Sequence, residues 1–308
     1  MTSAPVAGLP LHLLLPFTSG VVYVIGALFL KRAADLGADV WRTARVCNFT
    51  TAVAFVPLVF LGGGIPPSQP YWQPAAVAVL FVAGQIFSLL ALNIGDVSVA
   101  TPVLGIKILL VALLTTILIG ARIGFELWTA ALLSSAAIAL LNLGQTHSHH
   151  RVGTTIVLAT LAASSFALFD VLVQKWSPAW GAGRFLPVMM GFVAVFSIAI
   201  RGFSRSQAPS KESKSGSVGG WVVGGAICLA LQAIMIVSSI AVYGQATVAN
   251  VLYGARGLWS VLGVWLVGHY FENRERHHGH RVLAWRLIGA ALLMVAILIV
   301  LFGAHLTA

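Results

Sequence analysis

Two stretches decide how this chain is read: Gly95-Asp96-Val97-Ser98-Val99-Ala100-Thr101-Pro102-Val103-Leu104-Gly105-Ile106-Lys107 and Gly244-Gln245-Ala246-Thr247-Val248-Ala249-Asn250-Val251-Leu252-Tyr253-Gly254-Ala255-Arg256. Laid over one another without a gap, at an offset of 149, they agree in both glycines, the Val-Ala pair, the Ser/Thr and the terminal cation. Apolar identities between two apolar segments are cheap. Paired cations are not, because an ionisable side chain in a bilayer core costs roughly 2.5–3.5 kcal/mol on insertion scales. A weaker match near offset 140 sets Ala27-Leu28-Phe29 against Ala167-Leu168-Phe169, and at 139 Arg45 faces Arg184. The chain therefore reads as a duplication, with one copy in 1–145 and the other in 146–308.

The composition around these stretches is that of a protein facing lipid. Of 308 residues, 59% are hydrophobic and only 8% charged, with a mean hydropathy of +0.95. A soluble domain carries about 25% charged residues. Apolar runs fall at 9–30, 43–62, 72–94, 98–119, 126–144, 152–174, 184–201, 219–242, 246–268 and 285–305. Each approaches the about 20 residues a spanning helix needs, and together they leave no room for a separate soluble domain. Breaks are marked by Gly62-Gly63-Gly64 with Pro66-Pro67, by Gly95-Asp96, by Ser177-Pro178 and by the polar stretch 204–217. Trp41, Trp72, Trp128, Trp176, Trp180, Trp221 and Trp285 sit near the predicted helix ends, the level that amphipathic rings prefer. The alternating segments of an outer-membrane barrel do not occur. The expected fold is an all-α integral membrane protein of about ten transmembrane helices, in two five-helix repeats. An odd number of helices per copy inverts the second copy relative to the first, the usual build of secondary transporters.

The net charge of +10 does not imply a nucleic-acid partner, because the cations sit singly or in short clusters between apolar runs. Loops after the odd-numbered helices hold 13 Lys and Arg, and the termini and remaining loops hold 3. The positive-inside tendency then makes the first set cytoplasmic and both termini external. Met1–Gly8 has no Lys or Arg, whereas Lys31 and Arg32 follow the first run, so a retained first helix is expected rather than a cleaved signal. The expected location is a bacterial inner (plasma) membrane. Cys47 and Cys228 lie inside apolar runs and read as small buried residues.

Three ionisable residues fall well inside the spans: Lys107, Arg256 and Asp170. At 1.5 Å per residue, both cations reach mid-depth and face one another across the pseudo-symmetry axis. Two readings stand side by side: a cationic cage for an anionic group of a substrate, or internal pairing with Asp170. One carboxylate against two cations favours an anionic or zwitterionic solute. Asp170, placed towards the external side, is a candidate coupling or charge-balancing group for a proton or exchanged solute. Tyr253, Trp259 and Ser260 stand at helical spacing from Arg256. Gln85 on the third helix, Gln232 on the eighth and Tyr23 on the first complete a partly polar interior of candidate substrate contacts. His147, His149, His150, His277, His278 and His280 read as loop residues, and no metal is expected. There is no phosphate-cradling loop, G-x-S-x-G elbow or H-E-x-x-H pair, so neither a cofactor nor an enzyme activity is expected. A passive channel and a membrane-embedded lipid-modifying enzyme are the rival classes.

The two-copy layout and the segment 91–120, with Ala100-Thr101-Pro102 and Gly105, resemble the EamA-like branch of the drug/metabolite transporter superfamily. The resemblance implies a permease moving a metabolite through a central cavity by alternating access. The Lys107/Arg256 pair is similar to the anion-binding basic residues of phosphate-sugar exchangers in that superfamily. Members often carry an acidic residue directly after a glycine ending helix 4 or 9. This chain departs from that pattern, reading Gly120-Ala121-Arg122 and Gly268-His269, with Glu126 and Glu272 a few residues later.

Overall fold

The computed structural model describes residues 11–64, 71–94, 97–141, 152–198, 215–260 and 280–306. These are 91% helical, with no strand among them. The elements are α1 (Leu11–Asp35), α2 (Val40–Phe55, prolonged by a 3-10 segment Val56–Leu61), α3 (Trp72–Ile94), α4 (Val97–Gly105), α5 (Lys107–Leu114, prolonged by a π turn Thr115–Ile119) and α6 (Phe125–Leu141). Then follow α7 (Val152–Trp180), α8 (Ala182–Ser197), α9 (Ser215–Tyr243), α10 (Ala246–Tyr253) and α11 (His280–Leu306). Six helical stretches are long and apolar enough to cross a membrane: Leu11–Asp35, Val40–Leu61, Trp72–Leu92, Val99–Ile119, Val152–Trp180 and Val218–Tyr243. Phe125–Leu141, Ala182–Ser197 and Leu287–Phe302 are shorter apolar helices. Large side chains such as Phe60, Val53, Phe125 and Phe302 point outward and are exposed. Water would penalise such a surface, and lipid does not.

Helix ends follow local chemistry. Asp39 caps α2 by accepting the Arg42 N–H at 2.6 Å. The expected break at Ser177-Pro178 does not occur, and α7 runs on to Trp180. Its end is set by Gly181, at φ +73°, whose carbonyl accepts the N–H groups of Arg184 and Phe185 to open α8. Here the end of α2 and the start of α8 touch backbone to backbone. A Cβ on Gly183 would collide with the carbonyl of Gly62 and come within 2.6 Å of that of Leu58. Gly183→Ala is therefore expected to cost about 1–3 kcal/mol, read as a lower melting temperature in detergent.

Among the described residues two large buried clusters organise the interior, beside a small third one of Ala91, Ala100 and Ala159. One joins Phe55, Val77, Val111, Trp180, Phe185, Met189, Ile240 and Tyr253. The other joins Ile108, Ala131, Ile138, Val251, Leu252, Ala255 and Leu293. Residues of α5 and α10 belong to both, so these two elements run along the seam between the clusters. Trp41 and Trp180 are core residues rather than interfacial ones, whereas Trp72 and Trp285 are exposed as expected for helix ends. Cys47 is buried, Cys228 half-buried, and both are free.

Contacts between elements interchange the two sets of helices. α1 packs on α9 while α7 packs on α3; α9 packs on α2 while α3 packs on α8; α10 meets α1 while α4 and α5 meet α7. α2 with α8, and α6 with α11, pair across the middle.

Candidate functional site

The self-matching stretches of the sequence form two broken helices. α4 stops at Gly105, Ile106 turns, and α5 starts at Lys107. α10 stops at Tyr253, Gly254 and Ala255 turn, and helix resumes at Arg256. The tightened bond is the same in both: Ile106 N–H donates to the Val103 carbonyl at 3.1 Å, and Ala255 N–H to that of Leu252 at 3.0 Å. A glycine precedes each turn residue, and glycine is about 1 kcal/mol less favourable than alanine inside a helix. In the first break the Gly105 carbonyl is taken up by the Ser135 hydroxyl at 3.2 Å. Each break thus sets a cation on a fresh helical start, inside the seam between the clusters.

The two cations meet different partners. Lys107 Nζ lies 2.7 Å from Asp170 Oδ2, with the carboxylate buried and the lysine side chain 19% exposed. The same oxygen accepts the Asn250 amide at 2.8 Å, and Lys107 also stands 5.9 Å from the Phe166 ring centroid. Asn250 donates again to the Ala246 carbonyl at 2.9 Å, which fixes its orientation. The 2.7 Å separation brings the Asp170 carboxylate and the Lys107 ammonium together. Of the two readings offered by the sequence, internal pairing holds for Lys107.

Arg256 has no carboxylate within salt-bridge distance among the described residues. Its guanidinium carbon lies 4.4 Å from the Tyr253 ring centroid and 5.2 Å from that of Tyr23, and the two rings meet edge to face at 5.9 Å. Such cation–aromatic contacts are worth about 0.5–2 kcal/mol, more as water is excluded. Gly20 of α1 lets this happen: a Cβ there would stand 3.1 Å from the Arg256 backbone nitrogen.

Two of the expected side chains, Tyr23 and Tyr253, meet Arg256 directly, whereas Trp259 is half-buried with its ring edge-on to Phe17 at 5.6 Å. Ser260, one residue further along the resumed helix, is exposed. Gln85 is engaged elsewhere: its Oε1 accepts from Asn48 Nδ2 at 2.7 Å and its Nε2 donates to Asn48 Oδ1 at 3.1 Å, while Asn48 also donates to Ser197 Oγ at 2.7 Å. Gln232 is half-buried on α9 with no hydrogen bond to either cation. Gln85→Leu is expected to cost about 1–3 kcal/mol in stability by orphaning Asn48, with solute affinity unchanged; a change in affinity at constant stability would place Gln85 in the site instead.

Asn250 escaped the sequence reading although it stands in the quoted stretch. An amide in an apolar span, six residues before a cation, was the signal. Tyr23 of α1 stands against Arg256 and Asp170 of α7 against Lys107, partners 147 residues apart where the cations are 149 apart. The histidine clusters lie outside the described residues, apart from His280, which opens α11. Among the described residues no group of His, Cys, Asp or Glu could hold a metal.

No protein-family model matches the chain, and no curated protein matches it. A solved protein crystal structure is similar to it with a TM-score of 0.69 and 18% sequence identity, covering 96% of this chain and 98% of that one. At that identity the likeness concerns the fold alone, across nearly the whole length of both chains.

Proposed function

We propose that this chain is a secondary transporter that moves a small anionic or zwitterionic organic solute by alternating access, as two inverted five-helix repeats in 1–145 and 146–308. The interchanged helix contacts, the equivalent breaks before Lys107 and Arg256, and the matching positions of Asp170 and Tyr23 support the duplication. With five elements per copy the second copy is inverted, and the full complement is ten spans with both termini external in a bacterial inner membrane. The EamA-like branch of the drug/metabolite transporter superfamily is the proposed affiliation.

One observation carries the reading. A guanidinium sits at a helix break inside the bundle, and its own partners are two aromatic rings rather than a carboxylate. A charge kept there at a cost of about 2.5–3.5 kcal/mol is well used if a passing anion completes it. Lys107 and Asp170 form a neutral pair beside it, which balances the interior and offers a carboxylate for a coupling proton.

The test is exchange in proteoliposomes preloaded with an isotope-labelled metabolite extract, followed by mass spectrometry. Saturable one-for-one exchange of a subset of organic anions or zwitterions is the expected result. Unsaturable conductance would instead define a passive channel, and turnover of the vesicle lipid a membrane enzyme.

A further inference from the structure

We infer that Arg256 and the indole N–H of Trp259 together receive a single carboxylate, so that the transported solute is an organic monocarboxylate with a flat apolar body and not a phosphate ester. The inference rests on the transport reading above and narrows its substrate. The juxtaposition behind it is an unneutralised guanidinium and an orphan indole donor, one helical turn apart on the resumed helix 256–260.

Trp259 Nε1 is buried and has no hydrogen-bond partner among the described residues. Buried donors are nearly always satisfied, so a missing acceptor is the simplest account of it. Spacing of three residues puts Trp259 on the helix face of Arg256. An acceptor group at Arg256 therefore has a second donor within one turn.

Charge decides which anion. Two cations stand at the breaks, but Lys107 is neutralised by Asp170 at 2.7 Å, and that carboxylate is further held by Asn250. What remains is one positive charge. A carboxylate carries one negative charge and offers two in-plane oxygens to a guanidinium edge. A phosphate monoester carries about 1.5 to 2 negative charges at neutral pH and would be left under-neutralised in a low-dielectric site. Aromatic walls decide the body. Tyr23 and Tyr253 flank the cation, Phe17 and Trp259 pair with one another one turn further along, and flat rings offer wide apolar contact at small conformational cost.

The experiment measures thermal stabilisation of the detergent-purified full chain by benzoate and phenylacetate, by their uncharged amides, and by phenyl phosphate. The carboxylates are expected to raise the melting temperature, with the amides and the phosphate at least about tenfold weaker in half-maximal concentration. Trp259→Phe, which keeps the ring against Phe17 but removes the donor, is expected to weaken benzoate by about tenfold without lowering the ligand-free melting temperature. Asp170→Asn frees Lys107, and is expected to shift preference towards phenyl phosphate. Equal stabilisation by amides and acids, a preference of the unaltered protein for phenyl phosphate, or an undiminished response of Trp259→Phe would each overturn the inference. So would silence of the unaltered protein towards all five probes; the transport reading would then still stand or fall on the exchange measurement alone.

Discussion

Arg256→Ala is expected to reduce exchange of the anionic solute by at least about 100-fold, with the protein still present in the membrane at its normal level. Truncating one partner of a desolvated, hydrogen-bonded charge pair costs about 2–5 kcal/mol of binding, and about 2.8 kcal/mol is a factor of one hundred. Stability should suffer little by comparison. The guanidinium contacts rings rather than a carboxylate, so its removal strands no opposite charge, and the Tyr23–Tyr253 edge contact can persist. Arg256→Lys is expected to keep part of the activity, because a point charge remains although the planar fork is lost. The measurement is initial exchange rate in proteoliposomes, normalised to reconstituted protein. Equal rates for the alanine variant and the unaltered protein would remove Arg256 from the site.

The second large effect is on stability and sits at the other cation. Asp170→Ala leaves Lys107 without its partner and Asn250 without its acceptor. Breaking a buried ion pair by removing one member costs about 3–5 kcal/mol, because the remaining charge is stranded in a poor solvent for it. Lys107 keeps some access to solvent, so a value near 3 kcal/mol is expected, seen as a lower melting temperature and reduced membrane yield. Lys107→Ala should cost a similar amount. The double variant should recover most of the loss, since an uncharged seam needs no compensation. A double variant no more stable than either single one would show that the pair is not what holds α5 against α7.

The contrast between these two outcomes states the division of labour between the cations. Both follow a glycine-weakened turn, and both face a residue of the neighbouring long helix. Beside Lys107 that residue is a carboxylate, beside Arg256 a phenol. The first cation is paired with an opposite charge, and the second rests on aromatic rings.

Much of this was legible beforehand, for a physical reason. Lipid-facing helices must be continuous apolar runs, so the approximate ends of several follow from hydropathy: α3 occupies 72–94, as expected, and α6 and α9 differ from expectation by a few residues. The cations stood out because a bilayer makes charge conspicuous. What could not be read was partner choice. Asp170 lies 63 residues from Lys107 along the chain, and no local pattern fixes which cation it meets. Gln85 looked like a site residue by its polarity, yet Asn48 satisfies it, and only packing of α2 on α3 reveals that. Ser177-Pro178 looked like a helix end. Proline near the last turn was tolerated, and the positive φ of Gly181 made the true stop.

The most direct test of the account is whether the surroundings of Arg256 are reached from both sides of the membrane in turn. Tyr23→Cys, in a background with Cys47→Ser and Cys228→Ser, places a single thiol beside the guanidinium. A membrane-impermeant thiol reagent applied to oriented vesicles, from one face and then the other, should label it from both, and a saturating transported anion should slow both reactions. A thiol that stays unreactive from either face, or reacts at the same rate whatever solute is present, would contradict the claim that Arg256 stands in the solute's path.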